Sequence, residues 1–164
     1  MNTSRTTPRG SALIVTLLML LMLTVLAVSE VSLNSTQTRI ATNSADVQVA
    51  FQTAEGALNA AINNVLANPS PASSFIAKTN GLYLYDPTSA PLWTTINWSS
   101  TNAVISSFQG NSNAQSAYFV ELLPSVLKGG QNNNTPTWIY RITVRAVGAS
   151  GGSPVILQST VQSQ

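Results

Sequence analysis

The stretch RGSALIVTLLMLLMLTVLAVSE, from Arg9 to Glu30, decides the architecture of this chain. No charged residue occurs between Gly10 and Ser29. As an α-helix this segment spans roughly 30 Å, which matches the hydrocarbon core of a bilayer. Its Leu, Val and Ile side chains together favour membrane insertion by about 3–6 kcal/mol. The sequence therefore predicts a membrane-spanning helix close to the N-terminus.

The charges before the span predict its orientation. Arg5 and Arg9 precede it, so the N-terminus stays in the cytoplasm and the rest of the chain is exported. A cleaved signal peptide has a shorter apolar core and a small-residue site behind it, which Ala27-Val28-Ser29 fits only weakly. Two alternatives to a cleaved signal remain: the segment is a permanent membrane anchor, or it has a second function besides anchoring.

The composition excludes several classes of protein. The chain has 164 residues, enough for one domain and an anchor, and only 7% of them are charged, against about 25% in an average soluble domain. It has no cysteine and no histidine, so disulfides, thiol catalysis and histidine ligands are excluded. There is no basic patch for nucleic acid. We therefore expect no catalytic residue, no metal and no cofactor, and the sequence does not predict an enzyme.

The residues after the span continue a helical pattern. Between Glu30 and Ala67 there is no proline, and apolar residues recur at the three-four spacing of an amphipathic helix. One helix is predicted from about Ser11 to Leu66, ended by Pro69 and Pro71. Fraying or a bend is expected in SLNSTQTRIATNS, residues 32–44, which is rich in poor helix formers. The side chains that we expect the rest of the domain to cover are Val47, Phe51, Leu58, Ile62 and Val65.

The remainder predicts a small antiparallel sheet. The strand candidates are GLYLYD (81–86), PLWTTINW (91–98), AYFVELL (117–123), TWIYRITVRAV (137–147) and PVILQSTVQ (154–162). The fourth is the clearest, because its apolar residues alternate with Arg141 and Arg145. Polar loops are predicted at 108–116 and 127–137. The fold class is therefore α+β: a long helix, apolar in its first half and amphipathic in its second, packed on a C-terminal sheet.

Two further motifs have candidate roles. GASGG, Gly148 to Gly152, fits the G-x-S-x-G nucleophile pattern, but it lies between two predicted strands and the chain has no histidine base, so we predict a hairpin turn. Arg39 and Asp46 are about 10 Å apart along the predicted helix. They are too distant to pair within one chain, and we predict either two solvated charges or pairs with a neighbouring subunit.

Three segments resemble a known family. RGSALIVTLLMLLMLTVLAVSE resembles the class III signal of type IV pilins. QVAFQTAEGALNAA, Gln48 to Ala61, and the ending YRITVRAVGASGGSPVILQSTV resemble PilX-type minor pilins of bacterial type IV pili. The resemblance implies cleavage between Gly10 and Ser11 by a prepilin peptidase and N-methylation of Ser11. It also implies the pilin fold, divided into a leader (1–10), a transmembrane or fibre-core helix (11–29), an amphipathic helix (30–67) and a β-rich part (68–164).

The same resemblance implies where the protein acts. The subunit is stored in the inner membrane with its body in the periplasm, and later enters a surface pilus that serves adhesion or twitching motility. The implied partners are the major pilin, other minor pilins, the prepilin peptidase, the assembly machinery and a tip adhesin. The alternatives are a pseudopilin of a type II secretion or DNA-uptake system and a signal-anchored adhesive or binding domain.

One position departs from the pilin pattern. Pilins usually carry a glutamate at the fifth mature residue, and this chain has Val15 there. A valine cannot neutralise the N-terminal amine of an adjacent subunit in an apolar fibre core. From this we expect the subunit to initiate or cap the pilus at or near its tip.

Overall fold

A computed structural model describes residues 9–109, 115–126 and 137–163 of the chain. The chain divides between Thr42 and Asn43 into two compact units. The helices are α1 (Arg9–Ala67), α2 (Ala72–Ile76) and α3 (Leu92–Thr95), and the strands are β1 (Leu82–Leu84), β2 (Ile105–Gln109), β3 (Gln115–Val126), β4 (Thr137–Val147) and β5 (Val155–Ser163). Most of the predicted leader and of the two predicted polar loops lies outside the described residues.

Helix α1 confirms the predicted long helix. It is continuous through residues 32–44, so the fraying expected there is not found. Thr38 and Thr42 each donate a side-chain hydrogen bond of 2.9 Å to the carbonyl one turn earlier, which satisfies their hydroxyls within the helix. The helix ends at Ala67, one residue later than predicted and just before Pro69.

The sheet of the second unit is mixed, and the prediction of an antiparallel sheet was wrong at one edge. Strands β3, β4 and β5 are antiparallel neighbours, as the alternation predicted, and β1 pairs with β3 in parallel. Strand β2 pairs with the same edge of β3, so the predicted loop 108–116 begins and ends inside strands. The two short strands meet at Gly81, whose φ is 72° and whose added Cβ would lie 2.8 Å from Ile105 Cγ1. Only glycine fits this junction without strain.

The predicted strand PLWTTINW was also wrong, because its centre forms helix α3. The Thr94 amide donates to the Pro91 carbonyl at 3.0 Å and the Ile96 amide to the Leu92 carbonyl at 2.9 Å. The free edge of β3 is already taken by β1 and β2. β-Prone residues without a partner strand satisfy their backbone groups locally instead.

A seam of small residues on α1 forms one wall of the core. The helix side chains with no exposed surface are Ala50, Ala54, Ala57 and Ala61. They face strand residues such as Tyr140 and Ile142, and Phe75 of α2 closes one end with its ring 5.8 Å from that of Tyr140. Small side chains let the sheet approach the helix closely.

The larger apolar residues of α1 flank this seam, and two of them are not covered. Leu58, Ile62 and Val65 pack against the core as expected. Val47 and Phe51 lie on the same flank of the helix as Leu58, about two or more turns closer to the N-terminus. Their side chains are 46% and 45% exposed. The expectation that the sheet covers both was wrong, because the core covers this flank only from Leu58 onward.

The other face of the sheet carries a second, aromatic layer. Phe119 is fully buried there, with the Tyr83 ring at 6.0 Å edge-on and the Trp98 ring at 5.5 Å. The Tyr83 hydroxyl donates to the Ala103 carbonyl at 2.9 Å. The chain between β1 and β2 therefore covers this face of the sheet.

Candidate functional site

The first compact unit is a helix with apolar side chains on every side. Its large residues between Leu13 and Val28 are more than half exposed, including Val15, which is 51% exposed. Among the described residues, α1 is the one helix long and apolar enough to cross a membrane. A helix that is apolar all round is stable only in lipid or inside a bundle of similar helices. This segment must therefore be covered by something other than the chain itself.

Asp46 of α1 holds the turn between β4 and β5. Its Oδ1 accepts a hydrogen bond from the Ser150 amide at 3.0 Å, and its Oδ2 accepts one from the Ser150 hydroxyl at 2.7 Å. Gly148 faces the same carboxylate so closely that an added Cβ would collide with it. The predicted hairpin turn at GASGG is confirmed, and a carboxylate 104 residues earlier in the sequence fixes its conformation.

These hydrogen bonds have an electrostatic consequence. Donation by the Ser150 hydroxyl and amide, with smaller contributions from the amides of Gly152 and Ala149, lowers the pKa of Asp46 below its ordinary value of 3.8. The carboxylate is therefore ionised wherever the protein functions, and it has a partner within its own chain. The sequence analysis predicted that Asp46 is either solvated or paired with a neighbouring subunit, and neither prediction included a hydrogen bond to this turn.

A cavity of about 370 Å³ lies on the aromatic side of the sheet. Glu121 of β3 and Arg141 of β4 line it and are directly opposite each other in the strand register. Arg141 donates from Nε to Glu121 Oε2 and from Nη2 to Oε1, both at 2.8 Å. The Arg141 Cζ lies 4.5 Å from the centre of the Tyr85 ring. The hydrogen bonds from Arg141 to Glu121 raise the pKa of the guanidinium, so Arg141 stays charged.

A short turn forms the opposite wall of this cavity. The Asp86 carboxylate accepts hydrogen bonds from the Thr88 amide at 2.9 Å, the Thr88 hydroxyl at 2.6 Å and the Ser89 hydroxyl at 2.7 Å. Led by the Thr88 hydroxyl, these donors lower the pKa of Asp86 to about 2. Pro87 within the turn and Pro91 just after it restrict the backbone. The wall is therefore fixed before any ligand arrives.

Comparison with known proteins identifies the family. A family model described as the type IV pilus assembly protein PilX, C-terminal part, matches residues 31–163. The chain belongs to the PilX family of type IV pilus assembly proteins. No curated protein and no solved structure is similar enough to this chain to be matched.

Membership of the PilX family sets the coarse function. The protein takes part in type IV pilus assembly and acts with other pilus components, and PilX is not a known enzyme family. Its long apolar helix fits anchoring in a membrane. Within the residues that the structure describes, no cluster of three or more acidic, histidine or cysteine side chains is placed to hold a metal ion.

The structure places the predicted PilX site residues on α1 without bringing them together. Gly10 and Val15 are exposed, and a Cβ added to Gly10 would meet nothing within 4 Å. The one ion pair among the described side chains joins Arg141 to Glu121, so Arg39 has no such partner there. Ser11 already takes part in an interaction within the chain.

Sequence reasoning missed the two polar clusters of the second unit. Ser150 carries no signal for a partner 104 residues away. Glu121 was the only acidic residue in a predicted strand interior, and Arg141 lay on the polar side of another. Opposite charges in two strands of one sheet were a signal that could have suggested their pairing.

Proposed function

We infer that this chain is a minor pilin that initiates or caps a type IV pilus at or near its tip. The observation that carries this inference is the uncharged, exposed helix from Gly10 to Ser29 with Val15 at the fifth mature position. Membership of the pilus assembly family supports a role in assembly, and Val15 in the helix supports the proposed position at the tip.

The first step of this function is processing. The prepilin peptidase cuts between Gly10 and Ser11, the new amine of Ser11 is methylated, and the helix stays in the inner membrane with the body in the periplasm. The fold leaves room for a side chain at position 10, since a Cβ added to Gly10 meets nothing within 4 Å. Any requirement for glycine therefore comes from the peptidase and not from folding.

A substitution at Gly10 tests the processing step. Gly10→Val should leave an uncut, membrane-bound precursor, while Gly10→Ala should be cut more readily because its side chain is smaller. The measurement is the size of the protein on a gel after coexpression with a prepilin peptidase. Normal maturation of Gly10→Val would contradict the class III assignment and leave a plain signal anchor.

The second step is entry into the fibre, where charge decides the position. In a fibre core, an N-terminal amine next to Val15 has no carboxylate to neutralise it, and a buried unpaired charge costs several kcal/mol. A subunit repeated along the shaft meets this cost at each contact. A subunit at the end, with no subunit ahead of it, avoids the cost.

Immunogold labelling of sheared pili tests the position. We expect label at one end and few copies per pilus, whereas regularly spaced label along the shaft would contradict a tip position. Val15→Glu supplies the missing carboxylate and should let the subunit enter the shaft. Val15→Leu is the matched control, since it adds volume without charge and should leave the label at the end.

The exposed flank of α1 offers a surface for a neighbouring pilin. Val47 and Phe51 are half exposed on a flank of the helix next to the alanine seam that the sheet of the same chain buries. An aromatic ring and a branched aliphatic side chain next to each other on a helix are typical of a helix–helix contact. We assign them to packing against the helix of an adjacent pilin.

A further inference from the structure

The cavity beside the Glu121–Arg141 pair is lined by no residue of α1. It lies in the second compact unit, on the sheet face away from the helix seam. Its volume of about 370 Å³ falls at the lower end of the range of small-ligand sites, about 300–1,000 Å³. It is therefore large enough for one small molecule or for the end of a longer one.

Folding alone does not account for the ion pair that lines this cavity. Glu121 is only 5% exposed, and moving its charge out of water is costly even when a partner neutralises it. Apolar residues at both positions commonly give equal or better stability. The pair instead presents a fixed planar array of carboxylate oxygens and guanidinium N–H groups, held from one side by the Tyr85 ring.

The charges around the cavity cancel. Its lining includes two basic residues, Lys78 and Arg141, and two acidic residues, Asp86 and Glu121. A ligand anion would approach Glu121 and Asp86 as like charges, and a ligand cation would approach Lys78 and Arg141. The cavity consequently offers no net attraction to an ion of either sign, and its polar lining suits a neutral ligand with many hydrogen-bonding groups.

Sugar hydroxyls meet this requirement because each one both donates and accepts. Neighbouring hydroxyls on one ring can accept from Arg141 and donate to Glu121 at the same time. The C–H faces of a sugar ring suit the aromatic and proline side chains of Tyr85, Pro87 and Pro91, which also line the cavity. The Asp86 turn holds this wall in place, so little conformational entropy is lost on binding.

We propose that this cavity binds a neutral saccharide unit. The Glu121–Arg141 pair hydrogen-bonds neighbouring hydroxyls, and the segment from Tyr85 to Pro91 packs on the ring. This activity does not depend on where in the pilus the subunit sits.

Saturation-transfer NMR on the full chain tests the proposal. The chain is held in lauryldimethylamine oxide micelles, which carry no sugar headgroup to compete. The probes are methyl glycosides of glucose, galactose and N-acetylglucosamine, with glucuronate and glucosamine as charged counterparts. We expect at least one neutral glycoside to bind with Kd below about 10 mM, and glucuronate and glucosamine to bind at least about tenfold more weakly than it does.

Two pairs of variants locate the binding. Ala90→Trp fills the cavity from an exposed loop position and should abolish binding, while Ala149→Trp, on the exposed β4–β5 turn, should not change it. Arg141→Lys keeps the charge but loses the planar fork, and should weaken binding at least about tenfold. Arg145→Lys, on the same strand but outside the cavity, is its control.

Several results would overturn the proposal. These are the failure of every neutral glycoside to bind below about 10 mM, equal binding of the charged sugars, and unchanged binding in Ala90→Trp. Tighter binding of a neutral peptide probe, N-acetylglycine methylamide, would show that the cavity takes peptide groups instead. Because Ala90→Trp leaves the ion pair intact, the test stands even if Arg141→Lys does not fold.

Discussion

Asp46 and Ser150 are joined by two hydrogen bonds, of 3.0 and 2.7 Å, between the helix and the turn of the last hairpin. We expect Asp46→Ala to release this turn, which amide hydrogen exchange of residues 148–152 would show as loss of protection. Glu55→Ala, nine residues later on the same helix, is the control and should leave the turn protected. Equal protection in both variants would show that the hairpin does not need the carboxylate.

The same contact makes stability depend on pH. The pKa of Asp46 is lowered in the folded state, so its contribution is fully present above about pH 4 and is lost as the pH falls through the folded value. The wild-type protein should therefore lose more stability between pH 5 and pH 2 than Asp46→Ala does. Thermal unfolding at a series of pH values measures the difference, and parallel curves would contradict it.

The second compact unit should fold without the membrane helix. A chain that starts at Val31 retains the whole core, which is built from residues 54–161. Because its core is complete, we expect it to be soluble, monomeric and folded, and without cysteine it needs no oxidant. Cooperative thermal unfolding and a monomer mass by light scattering are the measurements. A molten or aggregated chain would show that the domain needs its first half.

Two positions of helix α1 should differ in how strongly a change of side-chain size destabilises the domain. Phe51→Ala should cost the Val31 chain only about 1 kcal/mol, because the ring is half exposed. Ala57→Leu should cost about 1–3 kcal/mol or more, because Ala57 has no exposed surface and the sheet cannot move away. Chemical denaturation measures both, and a larger loss for Phe51→Ala would contradict the observed orientation of the helix.

In full pili, Phe51→Ala should have a larger effect than it has on the stability of the isolated Val31 chain. Phe51→Ala should reduce incorporation of the subunit, since we assign this ring to a contact with an adjacent pilin. Exposed Asn63→Ala, on the same helix, is the control and should be neutral. Counting labelled subunits per pilus distinguishes the two variants.

The Glu121–Arg141 pair should behave as a coupled unit. Glu121→Leu and Arg141→Met should each cost about 3 kcal/mol when made alone, because either change leaves the other charge without its partner in a largely buried place. The double variant Glu121→Leu with Arg141→Met should recover most of that loss. A double-mutant cycle on thermal stability measures the coupling, and simple additivity of the two single changes would contradict it.

The sequence predicted those elements that local patterns define. The apolar run from Gly10 to Ser29 and the absence of proline up to Ala67 were enough for the long helix. Strict alternation around Arg141 and Arg145 was enough for β4, and GASGG for the turn that follows it. In each case the pattern repeats within a few residues, so neighbours in sequence carry the information.

Tertiary structure decided what depends on distant partners. The sequence could not show that the sheet packs on Ala54 and Ala57 and leaves Phe51 half exposed, since both sets of residues follow the same helical spacing. The sequence predicted a strand at PLWTTINW from its β-prone residues. Such residues form a strand only where a sheet edge is free, and here they form helix α3. The partners of Asp46 and Glu121 lie in distant parts of the chain. Helical and strand periodicity are local properties, whereas the choice of a covered face, a free edge or a buried ion pair depends on how the whole sheet meets the helix.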